Sequence, residues 1–233
     1  MTRITTSALV VRIVEFGDSD LIVTLVTEVL GKVSASVRGG RKSSRRVGGT
    51  LEPLHTLEVE LDDRGGEFIP LRESRVVRVR AKLAQSLVGI ESAGLALRWA
   101  RHIFPLRVPE PIGWRALVEL LDALDDDDSR SRQQLARAGL RLLATVGYAL
   151  DFERCVACGR LCPDGKAAAV DPARGGLVCH ACGGARIVLT ASMRRSARVL
   201  IDGGTEEVSV SDAALMLRIV DGAMVSHTGF EGS

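Results

Sequence analysis

The sequence predicts an α+β chain: a small N-terminal β-barrel of five strands, then an α-helical domain carrying a four-cysteine insertion. Three observations predict it. Apolar residues alternate at period two through residues 7–80. A helical period takes over from Ala81. All five cysteines lie within residues 155–182, and four of them form two Cys-x2-Cys pairs.

The strands follow in order. Leu9, Val11 and Ile13 alternate with Val10, Arg12 and Val14, and Gly17-Asp18-Ser19-Asp20 makes a turn. Leu21 to Thr27 is a β-branched run, closed by Leu30-Gly31-Lys32. Val33 to Val37 is a third strand. Leu57, Val59 and Leu61 alternate with Glu58 and Glu60, the pattern of a half-buried strand. The hairpin signal Asp62-Asp63-Arg64-Gly65-Gly66 leads into a fifth strand from Phe68 to Val79. Five short strands in so short a stretch suggest the five-stranded OB-fold barrel.

Helices follow at 81–104, at 114–124 and at 133–150, with Pro105, Pro109 and Pro111 interrupting the first two. Thr190 and Ser211 are placed to start two more, ending near Ile201 and Val225. The domains expected are a barrel at 1–80 and a helical domain at 81–233, with the cysteine knuckles at 151–189. The acidic run at 125–128 reads as a solvated loop; the alternative is a lid that repels nucleic acid from one face.

The chain has 233 residues, 46% of them hydrophobic, and a formal net charge of only +2. It can bury a core, and no global field declares a partner. Uncharged apolar stretches fall well short of the roughly 18 residues that a membrane span needs. Residues 1–6 have no apolar run of signal-peptide type, so a cytoplasmic location is expected. Thiols stay reduced there, which favours metal over disulfides.

Cys155-x2-Cys158 and Cys179-x2-Cys182 are separated by twenty residues. Each pair puts two sulfurs on one tight turn, and two turns complete a tetrahedral zinc shell. Gly159, Gly183 and Gly184 follow the knuckles and let the backbone curl around the ion. Four thiolates leave no open position for water, so the site reads as structural and no catalytic residue is expected. Cys162 reads as a spare thiol or a substitute ligand, and His180 as pointing outward.

No acidic residue stands between Glu28 and Glu52, while Lys32, Arg38, Arg41, Lys42, Arg45 and Arg46 do. With Gly39, Gly40, Ser43 and Ser44, that window suits phosphate contacts. Arg75, Arg78, Arg80 and Lys82 could extend the basic surface or protect a sheet edge. Residues 1–80 contain only Phe16 and Phe68 as aromatics, so a row of stacking rings is not expected. Binding through phosphates predicts little sequence preference and a steep salt dependence.

These residues resemble the bacterial recombination mediator family RecO. The resemblance rests on Val14-Glu15-Phe16-Gly17-Asp18-Ser19-Asp20, Gly31-Lys32-Val33-Ser34-Ala35, Arg38-Gly39-Gly40-Arg41-Lys42-Ser43 and Leu51-Glu52-Pro53-Leu54. It continues through Thr145-Val146-Gly147-Tyr148 and Gly175-Gly176-Leu177-Val178-Cys179, in order along nearly the whole chain. It implies an OB-fold followed by a zinc-bearing helical domain, without enzymatic turnover. It implies binding of single- and double-stranded DNA, strand annealing, and work at the nucleoid. The partners implied are RecR, the acidic C-terminal tail of single-stranded-DNA-binding protein (SSB) and, indirectly, the recombinase RecA. Arg98, Arg101, Arg194 and Arg195 are candidate cations for the SSB tail. The competing reading is a zinc-ribbon adaptor that binds protein and not DNA. A zinc nuclease or deaminase would need an open metal site or convergent carboxylates, which the spacing does not provide.

Overall fold

A computed structural model describes residues 2–40, 51–204 and 207–229. The chain divides into two compact units, Met1–Asp128 and Ser129–Ser233.

The first unit is built on a closed barrel of strands β1 (Thr2–Phe16), β2 (Asp20–Thr27), β3 (Gly31–Val37), β4 (Thr56–Asp63) and β5 (Phe68–Arg78), in the order β1-β2-β3-β5-β4. All neighbours are antiparallel except β3 and β5, which run parallel. This is the OB-fold arrangement that the strand count suggested. The long β1 closes it, pairing with β4 through Thr2–Ala8 and with β2 from Ala8 onward. Alternation decides which side chains enter the core: Val23 and Leu25, Val33, Ala35 and Val37, and Leu57, Val59 and Leu61 all face inward and are buried.

Helix α1 (Leu87–Ile103) starts later than the apolar pattern suggests. A short 3-10 turn at Leu83–Gln85 precedes it, and Ser86 is its N-cap, with the side chain accepting from Gly89 N–H. Helix α2 is Pro111–Asp126, with proline in its first turn. The acidic run is not a plain loop. Asp125 Oδ1 accepts from Leu83 N–H at 3.0 Å, and Asp128 accepts from the Ser86 hydroxyl. These carboxylates brace the entry to α1, and that local demand overrides the solvation expected of a charge run.

Gly31 fixes how the chain returns after α1. Its φ is +68°, and Arg107 N–H donates to the Lys32 carbonyl at 2.9 Å alongside it. A Cβ at Gly31 would lie 1.9 Å from the Val108 carbonyl oxygen. Neither backbone can yield cheaply, and a side chain in this left-handed conformation costs a further 1–2 kcal/mol, roughly. Gly31→Ala is expected to destabilise the first unit by about 3 kcal/mol or more. Urea unfolding checks it, and an unchanged midpoint would refute the packing argument.

The second unit joins helices α3 (Ser131–Thr145), α4 (Ala191–Asp202) and α5 (Val210–Thr228) to a small sheet. Thr190 caps α4 as the sequence suggests, whereas α5 is capped by Ser209, two residues before the expected position. Residues 151–189 hold more structure than short apolar pieces. Strands β6 (Asp151–Cys155), β7 (Ala168–Asp171), β8 (Gly176–Leu177) and β9 (Ile187–Leu189) form a sheet in the order β6-β8-β7-β9. Phe152, Val170, Leu177 and Leu189 are buried in it. Among the described residues, no helix is long and apolar enough to cross a membrane.

Candidate metal centre and basic surface

Strand β6 delivers Cys155 at its end, and the turn that follows delivers Cys158. The turn is held by Gly159 N–H donating to Cys155 O at 2.8 Å, and Gly159 has φ +71°. The second knuckle repeats the device: Cys182 N–H donates to Cys179 O at 2.9 Å, and Gly183 has φ +97°. The knuckles approach because Val156 N–H donates to Leu177 O, just before Cys179, at 2.8 Å.

The four sulfurs lie within 4.8 Å of one another. Tetrahedral bonds of ~2.3 Å would separate neighbouring sulfurs by about 3.8 Å, and Cys158 Sγ stands 3.8 Å from Cys179 Sγ. Cys155 is buried, and its Sγ accepts from Cys179 N–H at 3.3 Å. That donor, helped by the Ala157 and Cys158 N–H groups, holds the Cys155 thiol down to about 6. Cys182 is pushed up to about 12, chiefly by hydrogen bonds shared with the Cys179 and Cys158 sulfurs, then by burial. The cluster thus favours the thiolate at the buried Cys155 and the thiol at Cys182. A soft or borderline divalent cation replaces thiol protons, so the four residues could hold one metal ion.

Cys162 stands outside the cluster, with its Sγ directed at Pro163 O. His180 is exposed, as its position between two ligands suggests. What the sequence does not disclose is Arg194 on α4. It is only 2% exposed, and all five of its N–H donors are used. Nε and one terminal nitrogen reach Phe152 O at 3.3 and 3.1 Å, and the rest reach Cys162 O at 3.1, Pro163 O at 2.9 and Lys166 O at 3.0 Å. Arg194 therefore belongs to the scaffold of the knuckle segment and is withdrawn from the cations that could meet an acidic tail.

The basic residues divide. Arg38, in the turn after β3, is exposed. Arg41, Lys42, Arg45 and Arg46 lie outside the described residues. Lys32 is half-buried, and its ammonium donates to Arg101 O at 2.6 Å. Burial, and then the nearby Arg101, lower its pKa. It caps the last turn of α1 and does not join the loop cations as its sequence position suggested. Arg75 pairs with Glu58 at 2.7 Å, Arg78 with Asp122 at 3.3 Å and the buried Arg80 with the same carboxylate at 2.8 Å. Burial withdraws Arg80 from the surface, whereas Arg75 and Arg78 stay exposed and are each paired with a carboxylate of the same unit. Asp62, also buried, is held below the ordinary carboxylate range chiefly by the hydrogen bond from Arg72, with Arg3 and Arg64 adding charge.

Comparison with known proteins agrees with both halves of this architecture. The family "Recombination protein O N terminal" matches residues 1–80, and "Recombination protein O C terminal" matches residues 92–230. A protein of Anaeromyxobacter sp. (strain Fw109-5) named DNA repair protein RecO is 36% identical over 182 residues, covering 77% of this chain and 70% of the relative. One of Geobacter sulfurreducens with the same name is 38% identical over 184 residues, covering 78% and 74%. One of Myxococcus xanthus, also so named, is 33% identical over 183 residues, again covering 78% and 74%. A barrel and a cysteine-bearing helical unit in this order, each matched by its own half of one family, make this chain a member of the RecO family.

Proposed function

We propose that this chain is a DNA repair and homologous recombination mediator. It binds single- and double-stranded DNA, anneals complementary strands, and with RecR helps load RecA onto single strands coated with SSB. The observation that carries the reading is the match of both halves of the chain to the RecO family. The acid-free window supports it, with exposed Arg38 at its entry and Arg41, Lys42, Arg45 and Arg46 next in sequence. The ion in the cysteine cluster is Zn2+, held by Cys155, Cys158, Cys179 and Cys182. It shapes the 151–189 segment and leaves no coordination position for substrate. Turnover forms no part of the reading. The domains work as a DNA-binding barrel, residues 1–80, and a helical partner domain, residues 81–233, in the cytoplasm at the nucleoid.

The test is alanine at Arg38, Arg41, Lys42, Arg45 and Arg46 together. Affinity for single and double strands should fall by about tenfold or more, without a change in sequence preference. Each lost phosphate contact should also flatten the salt dependence, by about 0.9 in log–log slope on duplex and 0.7 on single strands. Fluorescence anisotropy over a salt series reads both. Annealing of SSB-coated strands should fall in parallel and need no nucleotide. Unchanged affinity would favour a zinc-ribbon adaptor that meets protein alone.

A further inference from the structure

The first unit has five aromatic rings. Trp99, Phe104 and Trp114 are buried at 0%, 1% and 6%, whereas Phe16 is 62% and Phe68 43% exposed. Phe16 and Phe68 are thus the two phenylalanine rings of this unit that a ligand in solution can reach.

Both exposed rings lie on the outer surface of the barrel. Phe16 pairs with Asp20, Ile22 with Ser36, Thr24 with Ser34, and Ser34 with Phe68. Directly paired residues share a face, and their neighbours Val23, Ala35 and Ile69 point into the core. The outer surface of β1, β2, β3 and β5 therefore carries Phe16 at one corner, Phe68 at another, and the hydroxyls of Thr24, Ser34 and Ser36 between them. Arg38 continues this surface past β3. Asp20 Oδ1 accepts from Gly39 N–H at 2.8 Å, which fixes the start of the basic loop beside the cross-strand partner of Phe16. Phe16 also borders the β1–β2 turn and Phe68 the β4–β5 loop, the two connections that frame the oligonucleotide face of such barrels.

We propose that Phe16 and Phe68 are base-stacking residues, which take two separate bases of a single strand whose backbone runs over Thr24, Ser34 and Ser36 toward Arg38. The proposal rests on the DNA-binding reading and deepens it. Followed along the curved outer surface, three strand spacings and four residues of rise separate the rings by about 19 Å or more. One base cannot touch both rings, but a single strand of several nucleotides that follows this surface can reach both. Phosphate contacts alone treat single and double strands alike. Stacking needs an unpaired base, so the two rings add a preference for single strands that basic residues cannot supply.

The experiment compares wild type, Phe16→Ala, Phe68→Ala, the double variant and Phe16→Trp by fluorescence anisotropy. Three probes are used: an oligothymidylate, an abasic oligomer of the same length, and a duplex. Wild type should bind the oligothymidylate at least tenfold tighter than the abasic oligomer. Each alanine variant should lose about fivefold on the oligothymidylate alone, the double variant should bind both oligomers equally, and Phe16→Trp should keep the difference. Both rings are exposed, so the variants keep the barrel core, and thermal melts confirm it. Variants that bind the oligothymidylate as wild type does, or that weaken equally on all three probes, overturn the stacking roles and leave DNA binding standing. A wild type that binds none of the probes overturns the DNA-binding reading as well.

Discussion

With zinc held by the four-cysteine cluster as proposed, stripping it is expected to unfold residues 151–189 while the Met1–Asp128 unit keeps its fold. The four ligands lie in one contiguous segment of the second unit, and none comes from the barrel. Strands of two to five residues cannot hold together alone, and the free energy of a structural zinc site is of order 10 kcal/mol. Without an ion, four sulfurs within 4.8 Å of one another have no common partner to hold the two knuckles together. Treatment with a strong chelator should abolish amide protection across β6–β9 and leave the barrel amides protected. Hydrogen exchange followed by mass spectrometry reads the two units separately. Simultaneous loss of protection in both would show that the units do not fold independently.

Arg194→Ala is expected to be the most damaging substitution outside the cysteines in the second unit. Removing the guanidinium takes away the donor shared by the buried Phe152 carbonyl and the partly buried contacts to the Cys162, Pro163 and Lys166 carbonyls, and leaves a side-chain cavity beside them. Each unsatisfied carbonyl costs about 1–3 kcal/mol before water relaxes it, so a total loss of about 3–5 kcal/mol follows. Arg194→Lys should rescue little, because an ammonium has three donors and none of the planar spread that serves four carbonyls. The variants should also release metal faster, since those carbonyls lie on the chain around the first knuckle. Chemical denaturation gives the stability, and a chromogenic chelator gives the release rate. Wild-type values for Arg194→Ala would mean that water replaces the guanidinium.

Features set by local spacing were legible in the sequence. Two Cys-x2-Cys turns encode their own geometry, and the barrel strands announce themselves because one face is buried and one is wet. Features set by distant partners were not. Lys32 looks like a loop cation until its carbonyl partner, Arg101, arrives from the end of α1. Arg194 looks like a surface arginine because its acceptors are backbone atoms that no residue type advertises. Arg80 is drawn inside by Asp122 and by the Leu54 carbonyl, both far away in the chain. The strands around the cysteines were hidden for another reason: two to five residues are too few to display a period. The two exposed phenylalanines could be counted in the sequence, but only strand register shows that both point outward from the barrel.

The barrel is closed unevenly. β1 ties to both neighbours over seven or more residues each, but β3 meets β5 through three residues, Ser34–Ser36 against Phe68, Ile69 and Pro70, and the proline has no N–H to give. Parallel pairing is also somewhat weaker per residue than antiparallel pairing. This seam is where the closed cylinder can breathe at least cost. Phe68 rides on one lip of it and Ser34 on the other, so a ligand laid across the outer face would act as a clasp, stiffening the barrel along its weakest line.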